Sequence, residues 1–348
     1  MKTKSLALLS VILILAACAA PVEPAVPVVA DTQSAAPPEI VQDPRISKDT
    51  IGNLSPAITL QPSTGALNCS WTKEGSAIWV EDFFTASLYD AATMDVMAKF
   101  EGGEYAAIYD TSADGRTVAY SLDGQEIRLF DIFTQGDRLS FLPGFPYSAV
   151  FFSPDDSALG VASLDSIEII LFSAEDGSAQ GSLSGFTTAA PVYLAEFSSI
   201  GETLIWISRG TVQPMYIGSG ELGPTLSHED FVVSVAISPD GSVIATAAAG
   251  TLDDEFQPLV TLWDTYSGEI VWQNGNQAYF SSLDFSPDGS LLAAGTEGEV
   301  IFYQTDNGQE FFRLSTGTEV VNDLGFSPDS TALLTCETDG KLTLWKPN

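Results

Sequence analysis

The sequence predicts an all-β fold built from seven similar four-stranded antiparallel units that form a closed ring. Three observations predict it. The chain repeats itself with a mean period of about 42.5 residues, each copy carries a Ser-Pro-Asp-Gly turn or a variant of it, and each copy has an aromatic residue further on. A single unit of four short strands cannot bury its own apolar faces, so the units must stack on one another.

The turn motif marks the start of each copy. It is clearest at 285–290 and 237–242, has near matches at 152–157 and 326–330, and has weaker copies at 71–76, 110–115 and 197–201. Proline presets φ, aspartate hydrogen-bonds its own backbone, and glycine accepts a positive φ. The glycine-equivalent positions are 40 to 48 residues apart, which indicates a structural repeat.

The second mark is an aromatic residue that directly follows an apolar one. It lies 14 to 16 residues after the turn position in six copies and 22 residues after it in the fifth, which carries an insertion at 249–258. The aromatic residues are Tyr89, Phe130, Phe172, Tyr216, Trp263, Tyr303 and Trp345. Alternating apolar residues around them predict strands, and four strands fit within each copy.

These motifs resemble the WD-repeat family over roughly residues 50–348, with Trp263-Asp264 as the Trp-Asp signature. The resemblance implies a seven-bladed β-propeller with four-stranded antiparallel blades. The family often has a Gly-His pair before the first strand of each unit, and that histidine bonds an aspartate in the second turn. Only Ser227-His228 approximates the pair here, so the resemblance implies a structural role for His228.

The ends of the repeat region predict how the ring closes. The last copy stops after its third strand, Lys341 to Trp345, with three residues left. An open sheet edge would remain unless another segment supplies the fourth strand. The segment Ser55 to Gln61 has the pattern of a strand, and we expect it to pair with Lys341 to Trp345 in the last blade.

The first residues have the pattern of a targeting signal. Lys2 and Lys4 precede an apolar run of about ten residues, and small residues then lead to Cys18. This order resembles the bacterial lipobox, in which the cysteine carries lipid, palmitate included. The resemblance implies a lipoprotein signal peptide at 1–17, a lipid anchor on Cys18 and an extracytoplasmic location at a bacterial membrane. Residues 18–45 are rich in Pro and Ala and predict a linker, which leaves 46–348 for the propeller.

Composition excludes several classes of function. The chain has 13 Lys+Arg against 46 Asp+Glu, a net charge of −33, which disfavours nucleic-acid binding. Three Cys and one His cannot build a Cys/His zinc site or an iron–sulfur cluster. No nucleophile motif accompanies His228, so we expect no enzyme, no catalytic residue, no cofactor and no metal site. Asp110 to Gly115 matches the start of a calcium loop, but Ser121 stands where that loop needs a glutamate.

Candidate partner-binding residues lie in the second turns and in the loops that precede the units, which a propeller places on one face. Acids there could attract a basic partner or divalent cations, and aromatic residues anchor protein partners. The alternatives are turn geometry for the acids and burial between units for the aromatics. The predicted rim consists of Tyr105, Tyr147, Phe231, Asp253, Asp254, Phe256 and Tyr279.

The sequence favours a monomeric, membrane-tethered scaffold that binds a protein or peptide partner. A propeller that binds a small ligand or cation at its channel mouth is the first alternative, and a propeller hydrolase or lactonase is the second. Cys69 and Cys336 align with a first and a second strand in units that ring closure makes neighbours. Export permits a disulfide between them, but buried cysteines in strands often stay free, so the sequence leaves this pair open.

Overall fold

The computed structural model describes residues 45–62, 65, 68–82, 84–103, 105–166, 168–184, 192, 194–198, 201–208, 210–252 and 255–348. The predicted signal peptide, Cys18 and residues 18–44 of the predicted linker lie outside the described residues. Within the described ranges, no helix is long and apolar enough to cross a membrane.

The described chain is all β apart from one short 3-10 helix, Ile51–Asn53. After β1 (Leu54–Leu60), the first three blades are sheets of four antiparallel strands in chain order. The first blade has β2 (Asn68–Trp71), β3 (Ala77–Glu81), β4 (Thr85–Asp90) and β5 (Val96–Glu101). The second has β6 (Ala107–Thr111), β7 (Thr117–Ser121), β8 (Ile127–Asp131) and β9 (Gly136–Phe141). The third has β10 (Tyr147–Phe152), β11 (Ala158–Ser163), β12 (Ile169–Ser173) and β13 (Ala179–Leu183).

The fourth and fifth blades keep this order. The fourth has β14 (Leu194–Phe197), β15 (Thr203–Ser208) and β16 (Thr211–Tyr216), and its outer edge is split into β17 (Glu221–Leu222) and β18 (Leu226–Ser227). The fifth has β19 (Val232–Ile237), β20 (Val243–Leu252), β21 (Glu255–Asp264) and β22 (Ile270–Gly275). The prediction of an all-β propeller with four-stranded antiparallel blades is confirmed.

The predicted count of seven blades is wrong. Five separate blades form, and the remaining strands join β1 in one continuous seven-stranded sheet. These strands are β23 (Ser282–Phe285), β24 (Leu291–Gly295), β25 (Glu297–Gln304), β26 (Glu310–Phe326), β27 (Leu333–Glu337) and β28 (Leu342–Pro347). The last two sequence repeats therefore share β26 instead of forming two separate blades.

The shared strand explains the difference. β26 runs for 17 residues, pairs with β25 through its first half and pairs with β27 through its second. The linking residues 315–319, Ser-Thr-Gly-Thr-Glu, contain no proline or Asp-Gly turn, so the chain can stay extended. Gly298 of β25 has φ +77° and faces the carbonyl of Gly317, where a Cβ atom would lie 2.8 Å from that oxygen.

The predicted ring closure is confirmed. β1 pairs antiparallel with β28, with Leu54 opposite Pro347 and Leu60 opposite Leu342. Ile58 and Leu60 pack against a buried cluster that contains residues of the last sheet and of the first blade. The first and last strands of the described chain thus close the same sheet.

The Ser-Pro-Asp turns form the local bonds that their sequence predicts. The hydroxyl of Ser286 donates to Asp288 at 2.6 Å, and Gly289 takes the positive φ. The second strands that follow these turns are almost wholly buried, as in β7 and β24. Each of these turns is therefore followed by a strand that is buried between neighbouring blades.

Candidate functional site

The strand order gives the propeller two faces. Because successive strands run in opposite directions, the turns from first to second strands and from third to fourth strands lie on one face, which we call the turn face. The turns from second to third strands and the loops between blades lie on the opposite face, which we call the loop face. The predicted rim belongs to the loop face.

Four aromatic residues of the predicted rim are exposed. Tyr105 is 80%, Phe231 57%, Phe256 60% and Tyr279 67% exposed. Tyr147 is buried at 7% and packs edge-on against Tyr109, with ring centroids 5.5 Å apart. Its side chain is therefore not part of the exposed rim.

The fifth blade carries two of these exposed rings at one end. Phe231 directly precedes β19, and Phe256 lies opposite Thr251 where β20 and β21 extend beyond the blade. Glu229 accepts a 2.9 Å hydrogen bond from the Thr251 hydroxyl, which ties the preceding loop to this extension. Asp253 and Asp254, which join the two strands, lie outside the described residues.

His228 has a structural environment. Its Nε2 lies 2.9 Å from the hydroxyl of Thr246, which also accepts a 2.9 Å hydrogen bond from the indole N–H of Trp263. Its Nδ1 lies 3.3 Å from the carbonyl oxygen of Gly210. Burial lowers the pKa of His228 to about 4, so the ring is neutral at physiological pH. The contact is with a hydroxyl and not with a turn carboxylate.

The turn face contains a cavity of about 690 Å³ at the inner edges of the blades. Its mouth is lined by the prolines of four Ser-Pro turns, Pro154, Pro239, Pro287 and Pro328. Trp71 and Phe151 add aromatic surface, and four acids, Asp110, Asp156, Glu196 and Asp284, line the same cavity. We call this cavity the acidic channel.

Two of the lining acids tie successive repeats together. Asp110 on β6 accepts a 2.7 Å hydrogen bond from the backbone N–H of Phe152 on β10. Asp284 on β23 accepts a 2.7 Å hydrogen bond from the backbone N–H of Phe326 on β26. Each aspartate lies two residues before the serine of its turn, so the two occupy the same position in the repeat. Their carboxylates therefore have a structural task.

Asp323 on β26 makes a third bond of this kind, from a position two residues earlier in the repeat. Its carboxylate accepts from the backbone N–H of Cys69 at 3.0 Å and from that of Leu324 at 2.9 Å. In all three cases the carboxylate of one repeat accepts a hydrogen bond from a backbone N–H on the first strand of the next repeat.

Glu196 occupies the position of Asp110 and Asp284 in the fourth blade but has a different role. Its side chain is one methylene longer, and the described part of the chain gives its carboxylate no hydrogen-bond donor. It lines the acidic channel. Of the three carboxylates at this position of the repeat, that of Glu196 is therefore available to a ligand.

Burial dominates the electrostatics of these acids. It is the main reason why the pKa of Glu196 is raised to about 8, and the charges of Asp284 and Asp323 contribute to the same rise. Burial also raises the pKa of Asp110 and Asp284 to about 7 and that of Asp323 to about 6, although the backbone hydrogen bonds oppose this. These four acids thus bind protons close to neutral pH.

Glu81 extends this group of acids between the first and second blades. Its pKa rises to about 7 because of burial, and a hydrogen bond from the Thr111 hydroxyl at 2.8 Å opposes the rise. Among the described residues, no group of three or more His, Cys, Asp or Glu side chains is placed to hold a metal ion.

The structure joins Cys69 and Cys336 in a disulfide, with the two Cα atoms 6.3 Å apart. Cys69 lies on β2 of the first blade and Cys336 on β27 of the last sheet. The question that the sequence left open is settled in favour of the bridge.

The sequence analysis missed the inner-strand acids. The sequence does contain a sign of them: an acid lies inside an apolar strand, one residue before an aromatic residue, in Leu283-Asp284-Phe285 and in Ala195-Glu196-Phe197. Asp110 was considered only as part of a possible calcium loop. In the structure Asp114 of that segment accepts from the Ser112 hydroxyl at 2.6 Å, which is the bond of a repeat turn.

Comparisons with known proteins agree with this architecture. The model of the family "WD domain, G-beta repeat" matches residues 220–253, 269–304 and 309–346. The chain is 28% identical over 157 residues to the meiotic recombination protein rec14 of Schizosaccharomyces pombe, which covers 42% of this chain and 49% of that protein. It is 29% identical over 127 residues to the small ribosomal subunit protein RACK1y of Oryza sativa, which covers 34% of this chain and 35% of that protein.

A third relative is the telomerase protein component 1 of Rattus norvegicus, 28% identical over 122 residues, which is 35% of this chain and 4% of that protein. The chain thus spans less than half the length of each of these curated relatives. The repeats and the relatives support a WD-repeat propeller, and WD-repeat relatives suggest a protein-interaction scaffold.

Proposed function

We propose that this protein is a monomeric, non-enzymatic scaffold that binds a protein or peptide partner on its loop face and is held at a bacterial membrane by lipid on Cys18. The observation that carries the proposal is the exposure of Tyr105, Phe231, Phe256 and Tyr279 on one face of an acid-rich chain. Aromatic side chains on an otherwise polar surface are the residues that most often anchor protein partners.

Charge supports a basic partner. The net charge of −33 attracts cationic surfaces and repels other acidic macromolecules. The fifth-blade extension offers the apolar anchor Phe256 opposite Thr251, whose hydroxyl donates to the carboxylate of Glu229 in the preceding loop. We therefore expect the partner to present basic residues around an apolar contact.

Photo-crosslinking in cells tests the binding face. A photoreactive phenylalanine is placed at Phe256 or Tyr279, and, as matched controls, at the exposed Phe133 or Tyr266 of the turn face. The scaffold proposal requires one discrete adduct from the first pair and none from the second. Equal adducts from both faces, or none from any position, would contradict partner binding at the loop face.

Lipid attachment has its own test. Cells are fed an alkyne analogue of palmitate and the protein is compared with Cys18→Ser. We expect label and membrane association in the full chain and loss of both in the variant. The Cys69–Cys336 disulfide supports an oxidising compartment outside the cytoplasm. A label that persists in Cys18→Ser would rule out this residue as the anchor.

A further inference from the structure

We infer that the acidic channel on the turn face is a binding site for an organic cation, an ammonium group carried on an apolar stem, with Glu196 as its counter-ion. This site lies on the face opposite to the predicted rim and is independent of the scaffold function proposed above.

The first step is that the channel has one acid without a structural task. Asp110 and Asp284 stand at the same repeat position as Glu196, and the carboxylate of each accepts a 2.7 Å hydrogen bond from a backbone N–H of the next repeat. The Glu196 carboxylate accepts no hydrogen bond from any described residue, yet the residue is half-buried and lines the cavity. A buried carboxylate without a partner is costly unless a cation or a hydrogen-bond donor reaches it.

The second step concerns the kind of cation. Ca²⁺ and Mg²⁺ take six or more oxygen ligands, several of which are protein carboxylates or carbonyls in a site that binds Ca²⁺. Of the acids that line the channel, Asp110 and Asp156 already accept two backbone N–H groups each, and Asp284 accepts one from Phe326. No described group of acids is arranged to hold a metal ion. One free carboxylate matches one ammonium group, which needs a single strong acceptor and a few weaker ones.

The third step is the apolar mouth. An ammonium group that reaches Glu196 passes Pro239 and Pro287, which the turns place at the mouth of the channel. Trp71 and Phe151 line the same cavity and offer aromatic surface to an alkyl stem and a cation. A cation without an apolar stem would gain nothing from this lining. A cavity of about 690 Å³ has room for such a group.

The charged groups around Glu196 favour a cation over an anion. Asp284 of β23 and Asp323 of β26 raise its proton affinity through their charges, and Asp110 of β6 lines the same cavity. Lys73 is the one basic residue that lines the cavity among the described residues. It stands at the proline position of the first turn, its side chain is exposed, and it forms no ion pair with a described residue.

The test is a titration of the full chain with n-hexylamine at a pH above the pKa of Glu196, where its carboxyl group is ionised, followed by ligand-observed NMR, with 1-hexanol as the neutral probe of equal length. We expect saturable binding of hexylammonium and at least about tenfold weaker binding of hexanol, because hexanol gives Glu196 no charge partner. Glu196→Gln, which keeps the size of the side chain, should weaken hexylammonium by at least about tenfold. Glu269→Gln, an exposed acid of the fifth blade, is the matched control and should bind as the wild type does.

Acetyl-lysine amide and acetyl-norleucine amide distinguish the source of the ammonium group. Binding of the lysine compound alone points to a side chain of a protein or peptide, and binding of hexylamine without the lysine compound points to a free amine; either result supports the site. Hexanol as tight as hexylammonium, or Glu196→Gln as tight as the wild type, would overturn it.

Discussion

The carboxylate of Asp323 accepts a 3.0 Å hydrogen bond from the backbone N–H of Cys69, so the middle strand of the last sheet is tied to the first blade. The side chain of the same Cys69 is bonded to Cys336, on the neighbouring strand of that sheet. A third link, between β1 and β28, closes the sheet itself. The junction of the ring is therefore held by a hydrogen bond, a covalent bond and a strand pair.

The disulfide should be a large contributor to stability. It closes a sequence separation of 267 residues, and a cross-link over so long a loop restricts the unfolded chain strongly. Replacing Cys69 and Cys336 together with alanine should lower the free energy of unfolding by about 2–5 kcal/mol, measured by urea titration without reductant. Cys18→Ser is the control and should leave the urea midpoint unchanged. An unchanged midpoint in the double variant would contradict this role.

Removal of β1 should open the last sheet. A chain that begins at residue 62 loses Ile58 and Leu60 from a buried cluster and leaves the edge of β28 unpaired. We expect a sharply lower melting temperature by circular dichroism and a tendency to aggregate. A chain that begins at residue 45 keeps β1 and serves as the comparison. Equal melting of the two truncated chains would mean that the pairing contributes little.

The bond from Asp284 to Phe326 should be measurable by a pair of substitutions. Asp284→Ala removes the acceptor and leaves a backbone N–H without its partner, which should reduce stability by about 1–3 kcal/mol. Asp284→Asn keeps an oxygen acceptor at the same place and should lose less. Chemical denaturation of both variants provides the comparison. Equal losses would show that charge or size, and not the hydrogen bond, determines the effect.

Stability should fall as the pH rises through neutrality. The folded protein holds protons on Glu81, Asp110, Glu196, Asp284 and Asp323, whose pKa values are raised to between about 6 and about 8. An acid with a raised folded pKa stabilises fully below its unfolded pKa, and the stabilisation is lost as the pH passes the folded pKa. We expect a melting temperature higher at pH 5.5 than at pH 8.5 by about 4 °C or more.

The substitution Glu196→Gln tests how much of that pH dependence comes from Glu196. Glu196→Gln cannot titrate, so its melting temperature should change less between pH 5.5 and pH 8.5 than that of the wild type. Glu269→Gln should follow the wild type. Below about pH 4, protonation of acids whose pKa is lowered by turn hydrogen bonds, such as Asp240 and Asp264, should reduce stability again. A curve that rises steadily with pH would contradict the raised pKa values.

The sequence by itself determined the repeat, the turns and the way the ring closes. Ser-Pro-Asp-Gly restricts the backbone within six residues, and its regular return fixes a unit of four strands without any distant information. The pattern of Ser55 to Gln61 likewise indicated a strand before any pairing was known. These features depend on local conformational preference and on spacing, and both can be read along the chain.

Only the tertiary structure decided the number of separate blades, the exposure of the rim and the roles of the acids. Whether β26 bends or continues depends on its pairing with strands on both sides, and Tyr147 is buried because Tyr109 of the neighbouring blade lies against it. Asp284 and Glu196 look alike in the sequence and line the same cavity, but only Asp284 accepts a hydrogen bond from a described backbone N–H, that of Phe326 in the next repeat. The physical reason is that hydrogen bonds and burial depend on which distant strands become neighbours.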